Sequence, residues 1–369
     1  MTTWKVPQFV PFLGEEEARA AADCVRSGWI TEGQLSARFV DEIKKMAGVK
    51  YGVLAPNGTL ALYLALKSCG VGPGDEVIVP DLTFVASATA VVMAGARPVF
   101  VDVDQQGQMS GSAVSSAMRA EGLCRAVMPV HLYGSACPAV AGHAPSIIVV
   151  EDACQALGVE YNGRPCGSLG TASAFSFFAD KTITTGEGGF VGTDDEDVFG
   201  RLRLLRNQGR ENRGSFVHPG IGQNFRMTDL QAAIGLVQLR KMPEIVARKR
   251  ALHRVYQDRL SGIVDLLGPV PGSTHIPFRT VAVFRRYADD AARFLAARGV
   301  EPRSCFFPLH RQPCFADIAS DKRHDDRLFP QANRLWNRAL CLPTFAGMTE
   351  EQIEIVCSAV EDFVRGWTP

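Results

Sequence analysis

The chain has no surplus of charge of either sign. Its 39 lysines and arginines balance 39 aspartates and glutamates, so composition gives no reason to expect nucleic acid or an acidic membrane surface as a partner. None of its ten cysteines forms a C-x-x-C pair, and no Cys/His run has zinc-site spacing, so no metal is expected. The first residues, MTTWKVPQFV, lack the basic and apolar stretches of a secretory signal. Apolar runs stop well short of the roughly 20 residues that a membrane span needs. Internal repeats and low-complexity tracts are missing too. The expectation is a cytoplasmic protein with reduced, structural cysteines and no nucleic acid or membrane as partner.

What is present is ordinary globular composition, 46% hydrophobic and 21% charged over 369 residues, enough chain to bury a sizeable core. The first two thirds alternate short β-rich runs with helical patterns. Strands are expected at Tyr51–Ala55, Glu76–Pro80, Pro98–Val101, Ala126–Val130 and Ile147–Glu151. Helices are expected over Gly58–Ser68 and Phe84–Ala94. Ala126–Val130 and Ile147–Glu151 read as continuously apolar, as strands of a sheet covered on both faces should be, and the alternation of strands with helices predicts an α/β architecture. At Thr228 the pattern changes. Thr228 and Gln231 fit a capping box, and helical spacing follows, continuing through Arg240–Arg254 despite Pro243. The domain boundary is placed at residue 245, giving a large unit over 1–245 and a smaller α+β unit over 246–369, with helices at Ala291–Arg298 and Glu350–Val364.

Three segments carry chemistry. In AFSFFADKTITTGEGGFV (Ala174–Val191) a strand ends near Phe178, Lys181 follows in a loop of threonines and glycines, and a second strand starts near Gly189. A lysine at a strand end is ordinarily a solvated surface residue. Here Ser176 precedes it, and Gly186, Gly188 and Gly189 let backbone pass close to a ligand. A partly desolvated lysine can lose its proton and attack a carbonyl, as a Schiff base requires. Asp152, in Glu151–Gln155, ends an apolar strand, where ligands of open α/β sheets bind. A carboxylate there can keep a pyridinium protonated, and it equally suits a helix N-cap. Pro56–Thr59 opens a helix after a strand, which suits a phosphate or a plain strand–turn–helix connection.

Together these segments resemble the DegT/DnrJ/EryC1/StrS family of sugar aminotransferases, within the aspartate-aminotransferase superfamily. The resemblance runs through SGWITEG (Ser27–Gly33), NGTLALYLAL (Asn57–Leu66), GPGDEVIVPDLTFVASATAV (Gly72–Val91) and EDACQALG (Glu151–Gly158). It continues through the lysine loop, IGQNFRMTDLQAAIGLVQL (Ile221–Leu239), FFPLHRQPCF (Phe306–Phe315) and LCLPTFAGMTEEQI (Leu340–Ile353). It implies the type I fold of enzymes that use pyridoxal 5′-phosphate (PLP), with a mostly parallel seven-stranded sheet flanked by helices and a smaller C-terminal α+β domain. It also implies ping-pong transfer of an amino group from L-glutamate through PLP and its aminated form, PMP, to a keto sugar.

By the same resemblance, Lys181 holds PLP as a Schiff base and shuttles the proton. Asp152 pairs with the pyridine nitrogen, Gln155 sits near the phenolic oxygen, and Phe84 stacks on the ring unless it is simply a core aromatic. Gly58, Thr59 and Ser176 hold the phosphate. Asn224 completes that site from the partner subunit of a homodimer, and His310, Arg226, Trp29 and Thr31 line the substrate site. The lysine loop is similar to the subgroup that aminates C-4 of nucleotide-linked 4-keto-6-deoxy sugars. Two departures, Ala179-Asp180 in place of Gly-Asn and a trimmed Gly262–Ala282, adjoin substrate-facing regions. They leave open an octulosonate-type keto sugar acid or a keto-inositol as acceptor. A sugar dehydratase of this fold carries histidine in place of Lys181. A non-catalytic relative has no need of the intact Lys181, Asp152 and Ser176 set.

Overall fold

The computed structural model describes residues 4–119, 124–140, 147–212, 214 and 216–366. A seven-stranded sheet forms from β1 (Tyr51–Ala55), β2 (Glu76–Pro80), β3 (Arg97–Val101), β4 (Cys124–Val127), β5 (Ile148–Asp152), β8 (Ala172–Ser176) and β9 (Gly189–Thr193). The hairpin β6 (Glu160–Tyr161) and β7 (Arg164–Pro165) lies between β5 and β8 in sequence. The order across the sheet is β1-β9-β8-β5-β4-β2-β3. Only β9 runs against the rest, pairing antiparallel with both β1 and β8. The mostly parallel sheet expected from the alternating pattern is therefore present.

Helices cover this sheet: α1 (Glu15–Arg26), α2 (Gln34–Ala47), α3 (Gly58–Ser68), α4 (Ala86–Met93), α5 (Gly111–Arg119), α6 (Glu196–Arg206) and α7 (Asp229–Leu260). α3 is the central one. Asn57 caps it by accepting from the Leu60 N–H at 3.0 Å, and Leu62, Leu64 and Leu66 are almost wholly buried against the sheet and α4. Each such leucine is worth about 1.5–3 kcal/mol of burial. Leu64→Ala alone would cost about 2–5 kcal/mol, so the turn at Asn57–Gly58 is rigidly placed.

α7 starts at the Thr228–Gln231 capping box, as the T-x-x-Q spacing predicts. It then runs 32 residues, with Pro243 inside it, so residue 245 falls within the helix. It packs on α1 and α2 at one end and on the C-terminal unit at the other. That unit holds a four-stranded antiparallel sheet of order β10-β11-β13-β12, built from β10 (Asp265–Leu266), β11 (Thr280–Val283), β12 (Arg303–Ser304) and β13 (Ala339–Leu342). Its helices are α8 (Ala288–Ala297), the one-turn α9 (Ala316–Ala319), α10 (Pro330–Arg338) and α11 (Glu350–Arg365). The N-terminal segment joins it: Val6 bridges Val300, and the Gln8 amide donates to Glu301 O and Cys341 O at 2.6 and 3.0 Å.

Candidate active site

The carboxyl ends of the parallel strands gather the polar residues, because each strand there turns into a loop instead of continuing. β1 ends at the Asn57–Gly58 turn, β2 leads to Thr83 and Phe84, β5 ends on Asp152 and β8 on Ser176. These ends surround a cavity of about 400 Å³, a size common for small-molecule sites. Gly58, Thr59, Phe84, Asp152, Gln155, Ser176 and Lys181 all line it. A stretch of 124 positions in sequence is thereby brought to one place.

Asp152 is buried. Its Oδ2 accepts from the Ser87 hydroxyl at 2.7 Å and its Oδ1 from the Cys154 N–H at 3.2 Å. No helix begins there, so the side chain is not an N-cap; it is a fixed carboxylate facing the cavity. The Cys154 thiol beside it is pushed far above its ordinary range, by burial first and by the Asp152 charge second, and does not serve as a nucleophile. Gln155 Oε1 accepts from the Tyr133 N–H at 2.9 Å, which leaves its amide N–H groups to donate. Phe84 is 55% exposed and meets Phe306 edge-on at 6.0 Å, and Phe306 stacks on Tyr133 at 5.7 Å. Phe84 is therefore a cavity wall and not a core aromatic. α4 starts two residues later than expected, which frees it.

At the other end of the cavity the first turn of α3 has its Leu60 N–H taken by Asn57. The N–H groups of Gly58 and Thr59 remain for an anion. A Cβ on Gly58 would stand 2.8 Å from Ser176 Cβ and 3.0 Å from Cys154 Sγ, so only glycine keeps this cradle open. The glycines after Lys181 have a different reason from the expected approach to a ligand. A Cβ on Gly189 would sit 2.5 Å from Asn57 O, and one on Gly188 would sit 2.5 Å from Thr185 Oγ1. They are needed for packing beneath the site, while Gly186 supplies a left-handed turn at φ 81°.

The lysine loop is tied down by its threonines. Thr185 N–H and Thr184 Oγ1 both donate to Phe177 O, at 3.0 and 3.1 Å. Lys181 Nζ lies 4.5 Å from the centre of the Phe278 ring and 3.9 Å from Asp180 Oδ1. Asp180 Oδ2 is held by Arg279 at 2.5 Å and is 3.8 Å from Arg303. Phe278, Arg279, Arg303 and Phe306 come from the C-terminal unit and were not anticipated. The signal was there for one of them: Phe278–Phe284, FRTVAVF, is a buried strand pattern with an arginine inside it, and arginine is rarely buried without a partner. Behind the loop, Lys249 is buried. Desolvation and the charge of Arg279 bring its ammonium down to about 7.

Five expected site residues lie outside this cavity. The Trp29–Thr31 loop is pinned to the start of α7 instead: Asp229 and Leu230 N–H groups donate to Thr31 O and Ile30 O. The Asp229 carboxylate in turn caps α2 through Gly33, Leu35 and Ser36. Asn224 is exposed on the segment before α7, bridged to Asn207, and Arg226 is half-buried beside it. His310 is buried and fully engaged. Its Nδ1 meets Asp81 at 2.7 Å and its Nε2 meets Asp326 at 2.9 Å, so it clasps the β2 loop to the C-terminal unit instead of facing the cavity.

The donor set fits pyridoxal phosphate: a helix N-terminus for the phosphate, a buried carboxylate for the ring nitrogen, an aromatic wall and an amine. Among the described residues no cluster suited to a metal ion occurs, and no helix is long and apolar enough to cross a membrane.

The sequence profile of the DegT/DnrJ/EryC1/StrS aminotransferase family matches residues 11–361. GDP-perosamine synthase of Caulobacter vibrioides is 37% identical over 367 residues, covering 95% of this chain and 96% of its own. The aminotransferase TlmJ from Streptoalloteichus hindustanus superposes with a TM-score of 0.90 at 31% identity, over 98% of this chain and 100% of that one. Spr1654 of Streptococcus pneumoniae, solved in its PLP form, shares the fold, with a TM-score of 0.88 at 24% identity over 97% of this chain and 98% of that one.

Proposed function

We infer the substrates of this chain from the premise that it belongs to the DegT/DnrJ/EryC1/StrS aminotransferase family and is a PLP-dependent sugar aminotransferase. The acceptor we assign is a nucleotide-linked 4-keto-6-deoxy sugar aminated at C-4, and the donor is L-glutamate. Likeness to GDP-perosamine synthase over nearly the whole length supports the acceptor. The observation that carries the aminotransfer reading is the convergence of a lysine amine, a buried carboxylate and a helix N-terminus on one cavity.

In this proposal Gly58, Thr59 and Ser176 bind the cofactor's phosphate, Phe84 and Asp152 orient its ring, and Gln155 donates to its phenolic oxygen. When bound, pyridoxal phosphate supplies the carbonyl that takes up and releases the amino group, and a ring that draws electrons from the breaking C–H bond. The Asp152 carboxylate, fixed by Ser87 and the Cys154 N–H, would pair with the ring nitrogen and favour its protonated form. Lys181 Nζ takes a proton from one carbon and returns it to another. The aromatic walls Phe84, Phe278 and Phe306 keep water from the lysine.

The same proposal makes the active unit a homodimer in the cytoplasm. Asn224, Arg226, Trp29 and Thr31 lie outside their own chain's cavity, and the exposed Asn224 segment suits a reach into the partner's phosphate site. Chain division at residue 245, between the two sheets, is proposed on the same footing. The test is to prepare the PMP form and offer a panel of keto sugars with and without nucleotides. A nucleotide-linked 4-keto sugar should restore the visible absorbance of the PLP form fastest. Faster restoration by an octulosonate or a keto-inositol would replace the acceptor named here.

A further inference from the structure

The cavity holds more charge than the cofactor's contacts use. Asp180, Arg279 and Arg303 line it beside Lys181, and the Phe84, Asp152 and Ser176 set leaves them without a task. Asp180 directly precedes Lys181 in the chain. Its two oxygens are treated differently. Oδ2 is bound by Arg279 at 2.5 Å. Oδ1 is buried without a hydrogen-bond partner, and its nearest cation is Lys181 Nζ at 3.9 Å. The Asp180 side chain is 10% exposed and that of Arg279 is 7% exposed, whereas that of Arg303 is 37% exposed and reaches Asp180 only at 3.8 Å. Arg279 is thus buried on Asp180 and serves to fix it. Arg303 is a cation with its donors largely uncommitted, on a short strand held to β13.

We propose that Arg303 and Asp180 form the receptor for the carboxylate and amino groups of the α-amino acid donor. This rests on the aminotransferase reading and adds where the donor sits. The donor's nitrogen has to reach the same reacting carbon as Lys181 Nζ, so the present position of Nζ marks it. That places the incoming amine beside Asp180 Oδ1, a buried acceptor in want of a donor. The donor's carboxylate, bonded one carbon away, then falls on Arg303, the neighbour of the same Asp180 carboxylate. Arginine suits a planar carboxylate through paired N–H bonds. A phosphate of the acceptor would also attract Arg303, but the Asp180 charge alongside opposes a group carrying negative charge alone. It favours a zwitterion. Arg279 is a positioning residue, since it acts by holding Asp180.

The test uses the PLP-loaded enzyme and separates the two half-reactions. Glutamate bleaches the visible band in the first, and a keto sugar restores it in the second. Arg303→Gln should raise the half-saturating glutamate concentration roughly 10–100-fold, the size of a lost charge-assisted hydrogen bond, and Arg303→Lys should recover part of it. The acceptor's half-saturation should shift by less than about threefold, well under that loss. Glutarate, a dicarboxylate without the amine, supplies a binding readout by calorimetry. It should bind wild type and lose affinity in Arg303→Gln. Asp180→Asn should weaken glutamate while glutarate binds as well or better.

An Arg303→Gln enzyme with unchanged glutamate saturation overturns the proposal. So does one whose acceptor half-reaction suffers as much as the donor's, because Arg303 then reads the sugar. Equal losses of glutamate and glutarate in Asp180→Asn reduce that residue to support for the loop and refute its part. If no keto sugar reacts but the glutamate effects appear, the receptor stands and the sugar assignment fails.

Discussion

Replacing Asp152 with asparagine separates the chemistry of the carboxylate from its place in the fold. Two donors meet this side chain, the Ser87 hydroxyl at 2.7 Å and the Cys154 N–H at 3.2 Å. An asparagine oxygen can keep the fixed backbone donor. Ser87 can rotate its proton toward Thr83, whose hydroxyl lies 3.1 Å away, and accept from the new amide. The structural loss is then one hydrogen bond's worth, about 1 kcal/mol, or a melting shift of a few degrees. The chemical loss is larger. A buried cationic ring nitrogen left without its carboxylate forfeits about 3–5 kcal/mol. At about 1.36 kcal/mol per tenfold in rate, that is two to nearly four orders of magnitude. The assay is paired: thermal melting of the cofactor-free protein, and single-turnover absorbance changes with glutamate and then with keto sugar. Both half-reactions should slow together while melting barely moves. An Asp152→Asn enzyme within tenfold of wild type in both would refute the assignment.

Lys181→Ala should abolish turnover and the visible band while the far-ultraviolet dichroism stays unchanged, and residual transamination at a substantial rate would contradict its role. Gly58→Ala forces a Cβ to within 2.8 Å of Ser176. It should lower stability by about 1–3 kcal/mol and weaken pyridoxal phosphate at least about tenfold by equilibrium dialysis, since the backbone approach of the phosphate is lost. The clasp favours the charged form of His310: burial opposes the charge, but Asp81 and Asp326 outweigh it and raise its pKa above the ordinary 6.5. Its contribution is complete below that ordinary value and is lost as pH climbs through the raised one. His310→Gln should therefore flatten the fall in melting temperature on the alkaline side, and an unchanged slope would argue against the clasp. Mixing Lys181→Ala protein with an inactive Asn224 variant should yield hybrid dimers more active than either parent. Verified hybrids with no recovery would rule out a shared site.

Local signals made most of the large unit readable. β1, α3, β2 and β9 begin where the Gly and Pro punctuation put them, because each is bounded by a turn that only certain residues can make. β8 stops at Ser176, two residues early, although Phe177 N–H still donates to Gly188 O at 2.9 Å. That Asn57, Asp152 and Lys181 meet at one cavity was legible for the same reason, since each stands at or beyond a strand end. The Arg279–Asp180 pair was not: 99 residues separate its members, and nothing in the periodicity of either segment refers to the other. His310 misled in the opposite way. A histidine among aromatic and proline residues looks available, and only the folded chain shows Asp81 and Asp326 on either side of it.

The 32-residue length of α7 has a mechanical consequence. The helix lies against α1 and α2 at one end and is built into the C-terminal unit at the other. The two sheets are thus mounted on a common shaft and not strung on a flexible tether. Any opening of the cleft that carries Arg279 and Arg303 away from Lys181 must bend or roll that shaft. Its compliant point is Pro243, where the backbone ladder misses one rung. A protease cut or genetic split at residue 245 would leave two half-shafts, each with its apolar flank exposed.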